Sequence, residues 1–215
     1  MAPPTIYGPN YSTYVRTVRL VLEEKGAEYR LAEVDILKGE HKTPDHLVAR
    51  HPFGKVPAFE HDGFALYETS AVTRYLDAVL PDPPLTPADP CGAARMQQAV
   101  AVVDAYAYPA MITAVFIQRM VTPMLGGTAD EAVVAAAMPN VERSLQVFET
   151  MLDSGHPWLA GDGLSLADLH LAPVMAYFSG TPEGQRLLPS HPKLARWWGA
   201  ASSRPSMTKT QPRLG

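Results

Sequence analysis

The sequence predicts two domains of different class, an α/β domain of mixed strands and helices followed by a domain of helices alone. Three observations carry this. Short alternating apolar runs are interleaved with helical patterns over residues 1–80. A proline-rich stretch, Leu80–Pro90 (LPDPPLTPADP), then interrupts the chain. Beyond it the apolar residues recur at helical spacing in long runs. The boundaries read as a first domain over 1–80, a linker over 81–92, and a helical domain over 93–215.

Each element has a local reason. Thr5–Gly8 (TIYG) reads as a short strand. From Tyr14 to Lys25, Val15, Val18, Val21 and Leu22 recur on one helical face, with Arg16, Arg19, Glu23 and Glu24 expected to point outward. Gly26 suits the helix exit. Ala32, Val34 and Ile36 alternate with Glu33 and Asp35, as in a strand. Lys38–Arg50 reads as a loop with one helical turn. Pro57–Glu60 and Phe64–Tyr67 pair across Asp62-Gly63, a strong hairpin signal. Thr69–Val79 reads as a helix with Val72, Tyr75, Leu76 and Val79 on one face. The order β-α-β, then β-β-α, gives a parallel pair extended by a hairpin, a thioredoxin-like arrangement.

In the second half Ala93–Met120 and Ala129–Leu152 read as long helices, bent at Pro109 and Pro139. Ser165-Leu166-Ala167-Asp168 is a helix capping box, with Leu164 and Leu169 at the positions of a hydrophobic staple. Trp197 and Trp198 fall in a last short helix, and Ser202–Gly215 reads as a loosely held tail.

The 215 residues suffice for two modest cores. A net charge of −4 implies no broad basic surface for nucleic acid. The single cysteine, Cys91, excludes a disulfide framework and fits a reducing, cytoplasmic compartment. Cys91 lies beside the linker with no CxxC partner and no expected helix start, a poor setting for a nucleophile. The N-terminus is not patterned as a signal peptide, and no apolar stretch reads as long enough to span a bilayer. His41, His46 and His51 are spaced by five, which suits neither helix nor strand ligation, so no metal is expected.

Chemistry concentrates in the first domain. Ser12 stands where strand gives way to helix, and a helix start carries exposed amides and about half a positive charge. A thiol placed there is favoured as thiolate, and a hydroxyl donor adds to the effect; on position alone Ser12 is equally a plain cap. Tyr7 competes as donor, although a strand tyrosine is more often packing. A cis bond at Val56-Pro57 would turn the Val56 N–H and C=O toward an extended peptide. Glu68-Thr69, ahead of a helix, offers amides and a hydroxyl to a carboxylate, and a carboxylate to an ammonium.

Taken together, Ser12-Thr13 with Arg16, the run Gly39-Glu40-His41-Lys42, the segment PFGKVPAF at Pro52–Phe59, Glu68-Thr69 and the Ser165/Asp168 box resemble the glutathione transferases, in their serine-type, phi-like branch. His51 departs from the Asn usual in that pattern. The resemblance implies a detoxification enzyme in which Ser12 stabilises the glutathione thiolate, which then attacks hydrophobic electrophiles, with reduction of organic peroxides as a further use. Val56 and Pro57 would grip the cysteinyl part, Glu68 and Thr69 the γ-glutamyl end, and His41, Lys42 and Lys55 the glycyl carboxylate. Glutathione would be co-substrate, with no other cofactor. A homodimer is implied, with neither nucleic acid nor membrane as partner. The electrophile pocket is expected between the domains, lined by Tyr11, Met111, Phe116 and Phe178. Asp104 is open to two readings, reaching a partner subunit's site or facing solvent. The alternative function is a non-catalytic binder of glutathione or hydrophobic ligands on the same fold.

Overall fold

The computed structural model describes residues 2–152 and 155–212. Two compact units emerge, Met1–Pro84 with Arg204–Gly215, and Leu85–Ser203. The first is built on a four-stranded sheet in the order β2-β1-β3-β4: β1 (Thr5–Tyr7), β2 (Arg30–Ala32), β3 (Ala58–His61) and β4 (Phe64–Tyr67). β1 runs parallel to β2 and antiparallel to β3, and the β3–β4 hairpin completes the sheet. Asp62 (φ 50) and Gly63 (φ 79) are both left-handed, as a two-residue hairpin turn matched to strand twist requires.

β2 begins earlier than the alternation suggests. β1 offers only three residues, so pairing ends with Ala32. The chain then folds on Asp35, whose carboxylate accepts the Leu37 and Lys38 N–H groups. Residues 38–50 carry more than one turn, with a 3₁₀ turn at Glu40–Lys42 and a helix α2 (Pro44–Ala49) capped by Thr43.

Helices α1 (Thr13–Glu24) and α3 (Thr69–Val79) pack together, burying Val15, Val18, Leu22, Val72 and Leu76. A buried ion pair joins them, Lys25 Nζ to Asp77 at 2.8 Å. The outer face of α1 is covered, contrary to the sequence reading. Arg16 and Arg19 are buried at 5 % and 9 % exposure. Chain 202–212, expected to be loosely held, is what covers them: it ends the preceding helix and forms a further one over Pro205–Lys209. Arg16 Nη2 donates to Met207 O at 2.9 Å and Arg19 Nη1 to Thr210 O at 3.3 Å. Arg204 pairs with both carboxylate oxygens of Glu24 at 2.7 and 2.6 Å. A polar helix face reads as solvated until a distant segment supplies acceptors for it.

The second unit contains α4 (Pro90–Met124), α5 (Glu131–Met151), α6 (Leu166–Phe178), α7 (Pro182–Leu187) and α8 (Pro192–Ser202); the Pro205–Lys209 helix of the first unit is α9. α4 widens to π-type turns over Val103–Val121 around Pro109, which has no N–H to continue the regular ladder. By length and composition α4 is able to cross a membrane, with a mean hydropathy of 1.7 over its most apolar 18-residue window, which corrects the expectation that no stretch qualifies. Here it packs against α5 and α6, burying Met96, Val103, Met111 and Val115. Cys91 is exposed in the first turn of α4, so a helix start does accompany it; that start is already met by the Asp89 carboxylate, which accepts the Gly92 N–H at 2.7 Å. In the linker, Leu85 is buried and its carbonyl accepts the Leu166 N–H.

The capping box opens α6 with both reciprocal bonds present. Asp168 is fully buried and accepts from Ser165 N, Ser165 Oγ, Leu159 N and Trp197 Nε1 at 2.7–3.0 Å. Burial pushes its carboxyl up, and the four donors oppose that push.

Candidate active site

Ser12 is the N-cap of α1 in extended conformation (φ −68, ψ 129). Its Oγ accepts the Val15 N–H at 3.4 Å, and its own N–H is turned to Pro9 O at 3.1 Å. The cap uses a lone pair, so the hydroxyl proton remains for a second partner. No acidic residue occupies the first turn of α1, so its positive end is not neutralised from within the helix. Tyr7, the competing donor, is committed elsewhere: its hydroxyl meets Glu60 Oε2 at 3.2 Å and its ring lies under the Arg50 guanidinium at 3.7 Å.

A series of close approaches joins the other residues to this helix start. Gly8 (φ 153) lies against both α1 and Val56; a Cβ there would stand 2.5 Å from Val15 Cγ2 and 3.1 Å from Val56 Cβ. The Val56–Pro57 bond is cis. Gly54 (φ 57) is seated on the His41–Lys42 turn, where a Cβ would meet His41 O at 3.1 Å. His46 of α2, 4 % exposed, lies 2.9 Å from the Lys55 carbonyl through Nε2, fixing the residue that precedes Val56. His51, 2 % exposed, stacks on Tyr67 at 5.0 Å between centroids and directs Nε2 toward Glu68 Oε1 at 3.8 Å. Ser12, His41, Lys42, Lys55, Val56, Pro57, Glu68 and Thr69 thus belong to connected loops at the ends of β1, β3 and β4 and the starts of α1 and α3.

Glu68 holds a left-handed backbone (φ 68, ψ 115), uncommon for a residue with a Cβ. It is the N-cap of α3 yet caps no amide through its side chain, and no acidic residue follows in the first turn. Thr69 is buried at 5 % exposure. The start of α3 therefore presents amides to an anion, and the Glu68 carboxylate stands free of them for a cation. Strain of this kind is retained where surrounding structure enforces it, commonly at a ligand site.

His41 has its pKa lowered by burial, reinforced by Lys42, His46 and Lys55, so it serves as a neutral group near pH 7 while the two lysines bring charge. Its buried Nδ1 has no hydrogen-bond partner among the described residues. Burial raises the Tyr11 phenol, with Asp35 and Glu33 adding to the shift, which keeps it protonated.

The apolar residues chosen for the second substrate divide. Phe116 is half-buried and stacks on Tyr177 at 4.4 Å. Met111 and Phe178 are 0 % exposed, side chains of the core with no surface for a ligand, which corrects their selection. An apolar residue on a helix face gives the same sequence signal in either place. Asp104 is half-buried on α4. Sequence reasoning missed His46 and His51 as supports of the site, and the Glu68 backbone. The His spacing was visible, but only the fold shows which carbonyl or carboxylate each ring meets. Among the described residues no group of three or more His, Cys, Asp or Glu is arranged to hold a metal ion.

Comparison with known proteins bears on this geometry. The family model described as "Glutathione S-transferase, N-terminal domain" matches residues 2–78, and "Glutathione S-transferase, C-terminal domain" matches residues 101–205. The chain is 35% identical to Glutathione S-transferase 1 of Zea mays over 97% of this chain and 96% of that protein. It is likewise 35% identical to the probable glutathione S-transferase GSTF1 of Oryza sativa subsp. japonica, over 97% and 95% of the two chains. Among solved structures, a glutathione S-transferase I bound with lactoylglutathione superposes with a TM-score of 0.86 at 33% identity, covering 97% of this chain and 98% of that one. Glutathione S-transferase I from maize in complex with an atrazine glutathione conjugate gives 0.84 at 33%, covering 97% and 96%.

Proposed function

Since this chain belongs to the glutathione S-transferase family, beside its phi-class members, we propose that it conjugates glutathione to hydrophobic electrophiles with Ser12 as the residue that holds the thiolate. One observation carries this reading. The Ser12 oxygen accepts from α1, and its proton is left to donate. A hydrogen bond to a charged group contributes about 1.5–3 kcal/mol. At about 1.4 kcal/mol per unit, that brings a thiol from about 8.5 to near 7, before the helix dipole is counted. The thiol proton passes to solvent, and no protein base is needed. The sulfur then forms its bond to the electrophilic carbon as the leaving group departs with its electron pair.

The remaining residues hold the peptide. The Val56 backbone pairs with the cysteinyl residue as an added strand would. The α3 amides and Thr69 take the γ-glutamyl carboxylate, and Glu68 its ammonium. Lys42, Lys55 and neutral His41 take the glycyl carboxylate. The unit Met1–Pro84 with Arg204–Gly215 is the glutathione-binding one, so the last helix belongs with it rather than with the helical domain the sequence reading gave it to, and Leu85–Ser203 contributes to electrophile binding, where Phe116 with Tyr177 offers aromatic surface. Tyr11 adds a protonated phenol. Peroxide reduction would use the same thiolate.

The reading extends to a homodimer. Val48, Phe53, Phe64 and Tyr67 of the first unit are 89 %, 72 %, 49 % and 40 % exposed, apolar surface suited to a second copy. It extends also to the cytoplasm, where the glutathione pool is kept as thiol. A non-catalytic binder is not favoured, since the relatives are transferases.

The test is Ser12→Ala. Conjugation of a model aryl halide should fall by about tenfold or more near pH 7 and recover as pH rises toward the free thiol's pKa. An unchanged pH–rate profile removes Ser12 from the mechanism.

A further inference from the structure

We propose that His51 makes binding of the γ-glutamyl end pH-dependent through Glu68: neutral, it leaves the Glu68 carboxylate to the ligand, and protonated, it competes with the ligand's ammonium for that carboxylate. This rests on the reading that Glu68 receives that ammonium.

The geometry fixes the tautomer. His51 Nδ1 accepts the Phe53 N–H at 3.3 Å, so the neutral ring carries its proton on Nε2. That Nε2–H faces Glu68 Oε1 at 3.8 Å, too long for a hydrogen bond and short enough for charge to act. The ring has little freedom to turn away. It is 2 % exposed, stacks on Tyr67, and its backbone N–H is tied to His46 O at 2.9 Å. A second proton must enter at Nδ1, where it displaces the Phe53 bond. The charged groups around the ring oppose one another: Glu68 favours protonation, while His46 of α2 and Lys55 disfavour it. Burial is the largest influence and lowers the pKa from the ordinary 6.5. His51 is therefore neutral near pH 7, and Glu68 keeps its full charge for the ligand. Below its lowered pKa the cation shares that carboxylate.

The sign separates His51 from its neighbour. Protonating His41, beside the proposed glycyl site, adds a cation near a carboxylate and strengthens binding. Protonating His51 weakens it.

The experiment measures the Kd of S-methylglutathione by calorimetry on the full chain, between about pH 5 and 8. The alkylated sulfur has no proton to lose, so thiol ionisation does not enter. The readout is the ratio of wild-type to His51→Asn Kd, in which the contribution of His41, common to both, drops out. That ratio should rise about 3- to 5-fold from the neutral to the acid end, the range of a partly exposed ion pair; His51→Asn keeps an amide donor that carries no charge and should still bind. In Glu68→Gln, where the contested charge is gone, adding His51→Asn should leave the pH profile unchanged. A ratio that does not change with pH, or one that changes as much without the Glu68 charge, overturns the role of His51 and leaves the glutathione reading standing. Absence of wild-type binding at every pH overturns the glutathione reading, and this inference with it.

Discussion

Ser12 is asked to do two things with one oxygen, and the two are separable. Its cap on α1 is ordinary; loss of a serine cap costs about 1 kcal/mol of stability. Its donation to sulfur is the part that belongs to the proposed mechanism. Ser12→Thr retains lone pair and proton and should keep most activity, whereas Ser12→Asp retains the cap but places a negative charge beside the thiolate and should be nearly inactive at unchanged or higher Tm. Equal activity in both would show that capping, not donation, is what matters. Tyr7→Phe is the complementary variant. The Tyr7 hydroxyl is held by Glu60, so its loss should leave turnover near wild type. A drop as large as that of Ser12→Ala would return Tyr7 to the mechanism. At this scale the sequence was informative where a residue type has a local structural use, as with the Ser12 cap on α1 or the Val56-Pro57 step before a strand. It was silent where the use is imposed by the fold. Nothing in the identity of a glutamate announces a φ of 68, because the enforcing contacts come from elsewhere.

At the level of elements, α1 is held from two sides. α3 packs on its apolar face, and α9 lies along its polar one. Arg16 is the centre of the second contact, with Nε to Thr210 Oγ1 at 3.3 Å and Nη2 to Met207 O. Arg16→Ala strands those buried acceptors and should lower stability by about 2 kcal/mol, read by urea unfolding. A change within a few tenths would mean that the α9 contact contributes nothing. Because Ser12 begins α1, a slackened helix should also raise KM for glutathione. The helix itself was legible from its apolar spacing, and the fate of its charged face was not, since the acceptors lie some 190 residues further along, at 191 for Arg16 and Met207. The start of α6 is the opposite case: four residues, Ser165 to Asp168, announce the cap directly. What they do not announce is that Leu159 and Trp197 share the same carboxylate. Asp168→Ala leaves several buried donors unanswered and should cost about 3 kcal/mol or more, so that expression or refolding fails before activity is tested.

On the scale of the whole molecule, the division into a sheet unit and a helical unit follows from a change in apolar period, and the family follows from the order of short motifs. What the period does not reveal is which apolar side chains are left for a ligand. Met111 and Phe178 entered the core, whereas Phe116 stayed at its edge. Nor does it reveal His170, 2 % exposed inside the helical unit, whose pKa burial lowers to about 4. The unfolded chain binds that proton near 6.5 and the folded chain does not, so stability is complete above about pH 6.5 and is lost as pH falls toward 4. The loss is on the order of 3 kcal/mol, and His170→Gln should flatten that part of the stability profile; an equal slope in the variant would assign it to other groups. These are conditions of folding, and the chemistry rests on the sulfur. The most direct measurement is the pKa of glutathione bound to the protein, followed by thiolate ultraviolet absorbance. Wild type should titrate about one to two units below free glutathione, and Ser12→Ala should titrate close to it. A bound thiol that titrates like the free one in wild type, or equally low in both proteins, would contradict the account.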